Sequence, residues 1–255
     1  MYGIKSKDLS GEEYWSMKKD RAPFIVVEGT DGSGVSTQAE RLEKRLRDEG
    51  REVYLTKEPT DGPAGAMIRL ALSGRLVHPK DIAESQSLDQ YTLALLFAAD
   101  RMDHLRTDII PKLKIGVTVI SDRYYLSSYA FQGLDVDIDW LQRINSYCLR
   151  PDLTIFLNVD SSICYKRMQR RRWHVEIFEE QAKIEQVRQN YLKVIQHLLW
   201  QGENIVILDG NQNISVINQQ IFREVEKTSL KNSISRYPQL SFLEEQTSKS
   251  ETTQR

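Results

Sequence analysis

The chain has 255 residues, which is enough for one large domain with a full hydrophobic core. Its 35 basic and 36 acidic side chains nearly cancel, which argues against general binding to nucleic acid or to an acidic membrane. No apolar run approaches the length of a membrane span, and the polar beginning of the chain lacks the apolar core of a signal peptide. Cys148 and Cys164 fit neither a metal spacing nor a disulfide framework, so we expect both to be reduced, core or near-core residues of a cytoplasmic protein.

Short apolar runs rich in β-branched residues predict five strands, at 24–29, 52–59, 117–124, 153–160 and 204–210. Runs this continuous are typical of strands that are buried on both faces of a parallel sheet. Helical patterns separate the strands, so the sequence predicts an α/β fold with a doubly wound, five-stranded parallel sheet surrounded by helices. In such folds, ligands bind beyond the carboxyl ends of the strands.

Helical periodicity is clearest in four stretches, at 39–46, 84–104, 140–148 and 184–198. Gly50 and Gly202 follow the first and the last of them, and glycine commonly ends a helix. The chain divides by composition into a polar N-terminal extension, a folded domain and a polar tail, at 1–22, 23–228 and 229–255. The last part of the tail has no hydrophobic period, so we expect the tail to be partly disordered.

The segment after the first predicted strand has the pattern of a phosphate-binding loop. Gly29, Gly34 and Ser36 match G-x-x-x-x-G-K-[ST], but Val35 stands at the lysine position. Glycines let backbone N–H groups turn toward an anion, and the N-terminus of the next helix faces it. We therefore expect the phosphates of a nucleotide at Gly29, Thr30, Asp31, Gly32, Ser33, Gly34, Val35, Ser36 and Thr37. Ser36 is placed to ligate Mg²⁺, whereas a glycine-rich turn without a ligand is the alternative.

Four segments carry a resemblance to a known family: FIVVEGTDGSGVSTQ, TKEPTDGPAG, LLFAADR and SDRYYLSSYAFQG. In this order, and over roughly residues 24–210, the chain resembles the thymidylate (dTMP) kinases, which have the P-loop kinase fold. The resemblance implies that ATP, with Mg²⁺, donates its γ-phosphoryl group to dTMP, which gives dTDP and ADP. It also implies a homodimer.

The resemblance assigns a base-binding site to one helix and the segment after the third predicted strand. Phe97 and Arg101 lie four residues apart, so they share a helix face. In the family, the phenylalanine stacks on thymine and the arginine hydrogen-bonds the edge of the base. Ser128 matches a position that contacts the base, and Phe131 lies where the family often has a tyrosine beside the sugar. We place Gln132 in the same substrate site.

The resemblance also assigns groups to the phosphates. Arg123 is expected to contact the phosphoryl groups between donor and acceptor, with Asp122 near the metal. Asp31 matches a carboxylate that approaches the acceptor's 3′-hydroxyl or the metal. Lys57 stands where the family has an arginine that meets the acceptor phosphate, and we expect Glu58 to orient Lys57.

A basic segment, KRMQRRRWHVEIFEE, resembles the family's lid, at about residues 166–179. In one subgroup a lid arginine supplies charge to the ATP phosphates, and such sites need cations. We expect Arg167, Arg170 and Arg171 to replace the charge that is missing at Val35. The same segment contains Arg172 and Glu179. A solvated basic helix face is the alternative.

Other interpretations remain open for several residues. Phe97 could belong to the core, and Arg101 could be a surface partner of Asp100 or Asp103. Asp122 and Arg123 could form a buried pair that caps the strand. For the whole protein, the alternatives to a dTMP kinase are a nucleotide-binding module that lost its chemistry with the lysine, and a kinase of another acceptor such as dUMP or a deoxynucleoside.

Overall fold

A computed structural model describes residues 21–78, 86–169 and 177–236 of the chain. The strands are β1 (Phe24–Gly29), β2 (Val53–Lys57), β3 (Val77–His78), β4 (Gln86–Ser87), β5 (Thr118–Asp122), β6 (Leu153–Asn158) and β7 (Ile205–Asp209). The helices are α1 (Val35–Asp48), α2 (Pro63–Leu72), α3 (Gln90–His104), α4 (Ile110–Lys114), α5 (Tyr125–Phe131), α6 (Ile138–Ile144), α7 (Ser161–Gln169), α8 (Ile177–Trp200) and α9 (Ile214–Arg236). A π-helical turn at Leu105–Ile109 joins α3 to α4.

The main sheet has five parallel strands in the order β2-β5-β1-β6-β7. These are the five strands that the apolar runs predict, so the predicted fold class is confirmed. In register, Val27 of β1 lies opposite Asp122 of β5, and Gly29 lies opposite Leu157 of β6. The carboxyl ends of three neighbouring strands therefore meet at one edge, where the phosphate-binding loop and the Asp122–Arg123 segment begin.

Helices cover both faces of this sheet. Phe24 and Val26 belong to one hydrophobic cluster, whereas Ile25 and Val27 belong to another, as expected when successive side chains of a strand point to opposite faces. All four are at most 1% exposed. The first cluster includes side chains of α4, α5 and α8, and the second includes side chains of α1 and α9. A central strand that is apolar on both faces thus produces the two helical layers.

Two predicted helices have different bounds in the structure. The helix predicted over 84–104 begins only at Gln90, because the Asp89 side chain accepts a hydrogen bond from the Thr92 backbone N–H at 3.0 Å and caps α3. Before it, β4 pairs with β3 in a small antiparallel sheet that the apolar pattern did not reveal. The helix predicted over 140–148 ends at Ile144, so its last residues lie beyond α6.

The other helical predictions agree with the structure. α1 and α8 contain the patterns at 39–46 and 184–198, and Gly50 and Gly202 follow them with φ of 81° and 80°. Periodicity did not reveal α2, α4, α5, α7 or α9, and α9 continues to Arg236. Residues 1–20 and 237–255, with most of the predicted extension and tail, lie outside the described residues.

Both cysteines are free and buried, as the sequence predicts. Within residues 21–78, 86–169 and 177–236, none of the helices combines the length and apolarity that crossing a membrane requires.

Candidate active site

The phosphate-binding loop connects β1 to α1 in the predicted way. Gly34 is the residue before α1, with φ of 98°, and no side chain caps the helix there. The first backbone N–H groups of α1 are therefore available to an anion. Gly32 has φ of 79°, and a Cβ at this position would collide with the backbone carbonyl of Cys164. Both glycines are needed for the backbone path of the loop.

The loop also contains a buried polar atom that suits a phosphate oxygen. Ser33 is 3% exposed, and its Oγ has no hydrogen-bond partner within the part of the chain that the structure describes. A buried hydroxyl without a partner costs stability, so a ligand that accepts its hydrogen bond would bind favourably. The glycines, the uncapped helix and Ser33 together fit a nucleotide's phosphates.

Val35 occupies the lysine position of the loop as a core residue. It is 5% exposed and packs in the hydrophobic cluster that contains Val27 and Ala39. The loop has a cation nearby from another element: Arg167 of α7 donates from Nη1 to the backbone carbonyl of Ser33 at 3.1 Å and to that of Gly32 at 3.4 Å. The structure thus brings the first predicted lid arginine to the loop.

Ser36 and Asp122 meet beside the loop. Ser36 Oγ donates a hydrogen bond to Asp122 Oδ2 at 2.5 Å. Burial raises the pKa of Asp122, while the Ser36 hydrogen bond and the charge of Arg123 oppose that rise. A hydroxyl and a carboxylate are oxygen ligands of the kind that Mg²⁺ prefers. These two side chains are where the residues present best fit the metal that the loop implies.

Arg123 has an unusual backbone and two side-chain partners. Its φ is 72°, in the left-handed region that few residues other than glycine adopt. Nη2 donates to Asp31 Oδ1 at 2.7 Å, and Nη1 donates to Ser127 Oγ at 3.3 Å. The guanidinium carbon lies 5.2 Å from the centre of the Phe131 ring. Arg123 and Asp122 thus hydrogen-bond different residues, and neither serves the other as a strand cap.

Most of the predicted substrate residues line one cavity of about 540 Å³. The predicted residues on its wall are Asp31, Phe97, Arg101, Arg123, Ser128, Phe131 and Gln132. Phe97 is half-buried and faces this cavity, which favours the base-stacking interpretation over a core role. Gln132 Oε1 is buried and has no hydrogen-bond partner among the described residues, so it can accept a hydrogen bond from a ligand.

Arg101 is held on three sides. It is 1% exposed, and Nε donates to Glu58 Oε2 at 2.8 Å. Nη1 donates to Asn145 Oδ1 at 2.5 Å, and Nη2 donates to Ser128 Oγ at 3.0 Å. A guanidinium has five N–H groups in a fixed plane, so these bonds set that plane and leave further donors for a ligand.

The alternative that paired Arg101 with Asp100 or Asp103 at the surface is therefore wrong. Asp100 is 1% exposed and instead accepts hydrogen bonds from the backbone N–H of Thr60 at 2.8 Å and from its hydroxyl at 2.6 Å. Asp100 thereby fastens the segment after β2 to α3, beside the cavity.

Glu58 does not orient Lys57, contrary to our expectation. The Glu58 carboxylate instead binds Arg101 through Oε2 and lies 3.3 Å from His104 Nδ1 through Oε1. A buried carboxylate requires such buried partners. The Lys57 side chain is 62% exposed and lies 3.8 Å from Asp61. It lines a second cavity, of about 620 Å³, together with Ser36 and Asp122. The structure thus places Lys57 on the side of Ser36 and Asp122, and not among the residues around Phe97.

The remaining lid predictions lie outside the described residues. Arg170, Arg171 and Arg172 fall in 170–176, between α7 and α8. Glu179 belongs to the first turn of α8, but its side chain is also outside the description.

Sequence reasoning missed a buried acid at the centre of this site. Glu28 is 0% exposed; its Oε1 accepts hydrogen bonds from the backbone N–H groups of Tyr124 at 2.8 Å and Ser127 at 3.2 Å. Its Oε2 accepts from the Ser127 hydroxyl at 2.6 Å and the Tyr191 hydroxyl at 3.0 Å. Burial raises the pKa of Glu28 to about 7, while these hydrogen bonds and the charge of Arg123 oppose the rise. A charged residue at the end of the apolar run FIVVEG was the available signal.

Comparison with known proteins agrees with this geometry. The sequence model of one family, thymidylate kinase, matches residues 27–221. The "Probable thymidylate kinase" of Pyrococcus horikoshii is 42% identical over 178 residues, which are 68% of this chain and 83% of the relative. That of Thermococcus kodakarensis is 38% identical over 208 residues, 80% of this chain and 97% of the relative. That of Staphylothermus marinus is 34% identical over 217 residues, 85% of this chain and 98% of the relative.

Proposed function

Because the chain belongs to the thymidylate kinase family, we propose that it transfers the γ-phosphoryl group of ATP to dTMP, giving dTDP and ADP. Thymidylate kinases are ATP-dependent nucleoside monophosphate kinases, so the class of enzyme follows from the family. The observation that carries the proposal is one cavity that is lined by Phe97 and Arg101 and also by Arg123 and by Asp31 of the phosphate-binding loop.

The acceptor side of the cavity suits a pyrimidine nucleotide. The face of Phe97 can stack on a planar base, and the anchored guanidinium of Arg101 can donate to a carbonyl on the edge of that base. Gln132 Oε1 can accept a hydrogen bond from the ligand. Phe131 also lines the cavity, at the position where the family often has a tyrosine beside the sugar, and a bulky ring there disfavours a 2′-hydroxyl. Thymine, with two carbonyls and one ring N–H, fits this set of groups.

The donor side suits the phosphates of ATP. The N–H groups at the start of α1 and the hydroxyl of Ser33 can donate to phosphate oxygens. Ser36 and Asp122 would hold Mg²⁺, which when bound neutralises charge on the β- and γ-phosphates. Arg123 hydrogen-bonds Asp31 of the loop and lines the same cavity as Phe97, so its guanidinium can bind the phosphoryl group as it passes.

The missing lysine does not by itself prevent the reaction. Phosphoryl transfer depends mainly on positioning and on cations that stabilise the transition state. Val35 leaves the backbone of the loop and Ser36 unchanged, and the Arg167 guanidinium lies at the loop carbonyls. Val35 also supports the second candidate, a protein that binds both nucleotides without catalysis. The homodimer, the Mg²⁺ requirement and the cytoplasmic location remain parts of the proposal.

Release of ADP from ATP separates these functions. We expect release with Mg²⁺ and dTMP, little release without an acceptor, and loss of activity when a chelator removes the metal. Parallel reactions with dUMP, dCMP and thymidine measure the acceptor preference. If calorimetry finds binding of ATP and dTMP but no dTDP forms, the binding module is correct. If dUMP or thymidine is the better acceptor, the proposed substrate is wrong.

A further inference from the structure

Glu28 lies behind Arg123 and connects three parts of the site. It is the second-last residue of β1, and its carboxylate receives hydrogen bonds from the start of α5 and from Tyr191 of α8. The structure gives the N-terminus of α5 no cap of its own, so Glu28 takes that role from a neighbouring strand. Glu28 is 0% exposed, and it is not among the residues that line the cavity. It can therefore influence the substrates only through other residues.

The backbone on both sides of Arg123 is anchored. The Arg123 N–H donates to the carbonyl of Val27 at 2.9 Å, and the Ser121 hydroxyl donates to the Arg123 carbonyl at 2.6 Å. The next N–H, of Tyr124, donates to Glu28 at 2.8 Å. A left-handed residue costs conformational energy and persists only where its surroundings determine it. The Glu28 carboxylate is one of the groups that hold this conformation.

Ser127 links Glu28 to the guanidinium of Arg123. The Ser127 hydroxyl donates to Glu28 Oε2 at 2.6 Å, and its oxygen accepts from Arg123 Nη1 at 3.3 Å. A hydroxyl that donates to a carboxylate keeps its lone pairs for the arginine. Glu28 thus fixes both the backbone and the side chain of Arg123.

We propose that Glu28 is a positioning residue for phosphoryl transfer: its carboxylate holds Arg123, directly through the adjoining backbone and indirectly through Ser127, in the orientation that the transferred phosphoryl group requires. The proposal rests on the proposed function, in which Arg123 acts on that group.

The surroundings explain why the ionised carboxylate matters. Among the residues that the structure describes, the charged or titratable side chains that act on Glu28 are Arg123, between β5 and α5, and Tyr191, on α8, whereas Tyr124 contributes its backbone N–H. Asp31 and Asp122 reach it only through the charge of Arg123. A protonated Glu28 must donate one hydrogen bond, so the hydroxyl of Ser127 or Tyr191 has to reverse. It also loses its attraction for the Arg123 guanidinium.

Glu28→Gln tests the proposal, because glutamine keeps the shape and cannot ionise. We expect kcat at saturating ATP and dTMP to fall by about 10- to 100-fold, the effect of losing a hydrogen bond to a charged group. The dissociation constants of both nucleotides should change less than threefold, roughly the variation at positions without ligand contact. The wild-type kcat should rise as Glu28 ionises, at a pH of about 7, and the kcat of the variant should lack this rise. Ionisations of the substrates remain in both proteins.

A double-mutant cycle shows whether Glu28 acts through Arg123. In an Arg123→Ala background, Glu28→Gln should lower kcat no further, because the group that it positions is gone. Glu203→Gln is the matched control. The Glu203 side chain is 8% exposed, and its carboxylate accepts a hydrogen bond at 2.7 Å from the hydroxyl of Tyr125, on α5, the helix that Glu28 caps. The kcat and pH profile of this control should equal those of the wild type. If circular dichroism shows that Glu28→Gln does not fold, Ser127→Ala tests the same link between Glu28 and Arg123. We then expect a smaller loss of kcat.

The outcomes separate the two hypotheses. An active wild type with an equally active, folded Glu28→Gln variant overturns the positioning role. So does a loss of kcat that is equally large with and without Arg123, because Glu28 would then act independently of that arginine. A wild type that binds both nucleotides and forms no dTDP contradicts the proposed function instead.

Discussion

Arg167 Nη1 lies 3.1 Å from the backbone carbonyl oxygen of Ser33, in a loop whose lysine position holds valine. The arginine belongs to α7, so the charge comes from a part of the chain that is distant in sequence. The same helix leads into residues 170–176, which contain Arg170, Arg171 and Arg172. The lid segment is therefore the first place to look for the charge that Val35 does not supply.

Replacing Arg167, Arg170 and Arg171 together by alanine should nearly abolish dTDP formation. An arginine supplied at such a site contributes on the order of 10³ to 10⁵ in rate. The measurement is initial rate at saturating ATP, Mg²⁺ and dTMP. Exposed arginines elsewhere give a control of equal net charge, with alanine at Arg75, Arg143 and Arg223. An unimpaired lid variant would place the compensating charge in another part of the protein.

Phe97→Ala should weaken dTMP binding by about 1–3 kcal/mol, because stacking of one base on an aromatic ring contributes that much. ATP affinity should hardly change, since Phe97 belongs to α3 and not to the phosphate-binding loop. Isothermal titration calorimetry measures both affinities. Phe222→Ala is the control, because Phe222 is a partly buried ring that packs against Arg45 on α1. Equal dTMP affinity in wild type and Phe97→Ala would mean that the base binds elsewhere.

Arg123→Ala and Arg123→Gly should lower kcat far more than they weaken the binding of either nucleotide, because we propose that Arg123 acts on the transition state. The pair of variants separates charge from backbone strain. At φ of 72°, glycine should leave the protein about 1–2 kcal/mol more stable than alanine does. Steady-state kinetics and denaturant unfolding give the two readouts. A variant that loses affinity and keeps its turnover would make Arg123 a binding residue only.

Asn145→Ala should raise the KM for dTMP and leave kcat nearly unchanged. Asn145 Nδ2 donates to the carbonyl of Leu141 at 2.8 Å, which turns Oδ1 toward Arg101. In Asn145→Ala the buried guanidinium of Arg101 loses one hydrogen-bond acceptor, so we expect the free energy of unfolding to fall by about 1.5–3 kcal/mol. Asn145→Asp keeps an acceptor for Arg101 and should retain more dTMP affinity. The idea fails if both variants bind dTMP as tightly as the wild type.

The free energy of unfolding should depend on pH through Glu28. Burial raises its pKa from 4.5 to about 7, so the folded protein holds the proton more tightly than the unfolded chain. The stability that this proton contributes is fully present below about pH 4.5 and is lost as the pH rises to about 7. Relative to wild type, Glu28→Gln should therefore gain stability across that window. Urea unfolding at about pH 5 and about pH 8 measures the difference, which would stay constant if Glu28 did not titrate there.

Sequence reasoning reached the strands, the loop and the cavity because each leaves a local pattern. Continuous apolar runs mark strands that are buried on both faces, and the spacing of Gly29, Gly34 and Ser36 marks the loop. Partners of buried charges leave no such pattern. Glu58 was assigned to the neighbouring Lys57, but it binds Arg101, which lies 43 positions away. Only the tertiary structure brings such pairs together.

The helix boundaries failed for a related reason. The apolar spacing over 84–104 begins before Asp89, the residue that caps the N-terminus of α3. The residues before the cap include β4, and a short strand can share a helical apolar spacing for a few residues. The role of Glu28 was hidden because its partners come from α5 and α8, which are far apart in the chain.

The contacts between α7 and the phosphate-binding loop have a thermodynamic consequence. A Cβ at Gly32 would meet the Cys164 carbonyl, Thr30 Oγ1 lies 3.4 Å from Cys164 Sγ, and Arg167 binds the loop carbonyls. Any free energy by which ATP favours this arrangement of α7 must equal the free energy by which α7, so arranged, favours ATP. The affinity for the donor nucleotide and the position of α7 are thus two measures of a single coupling.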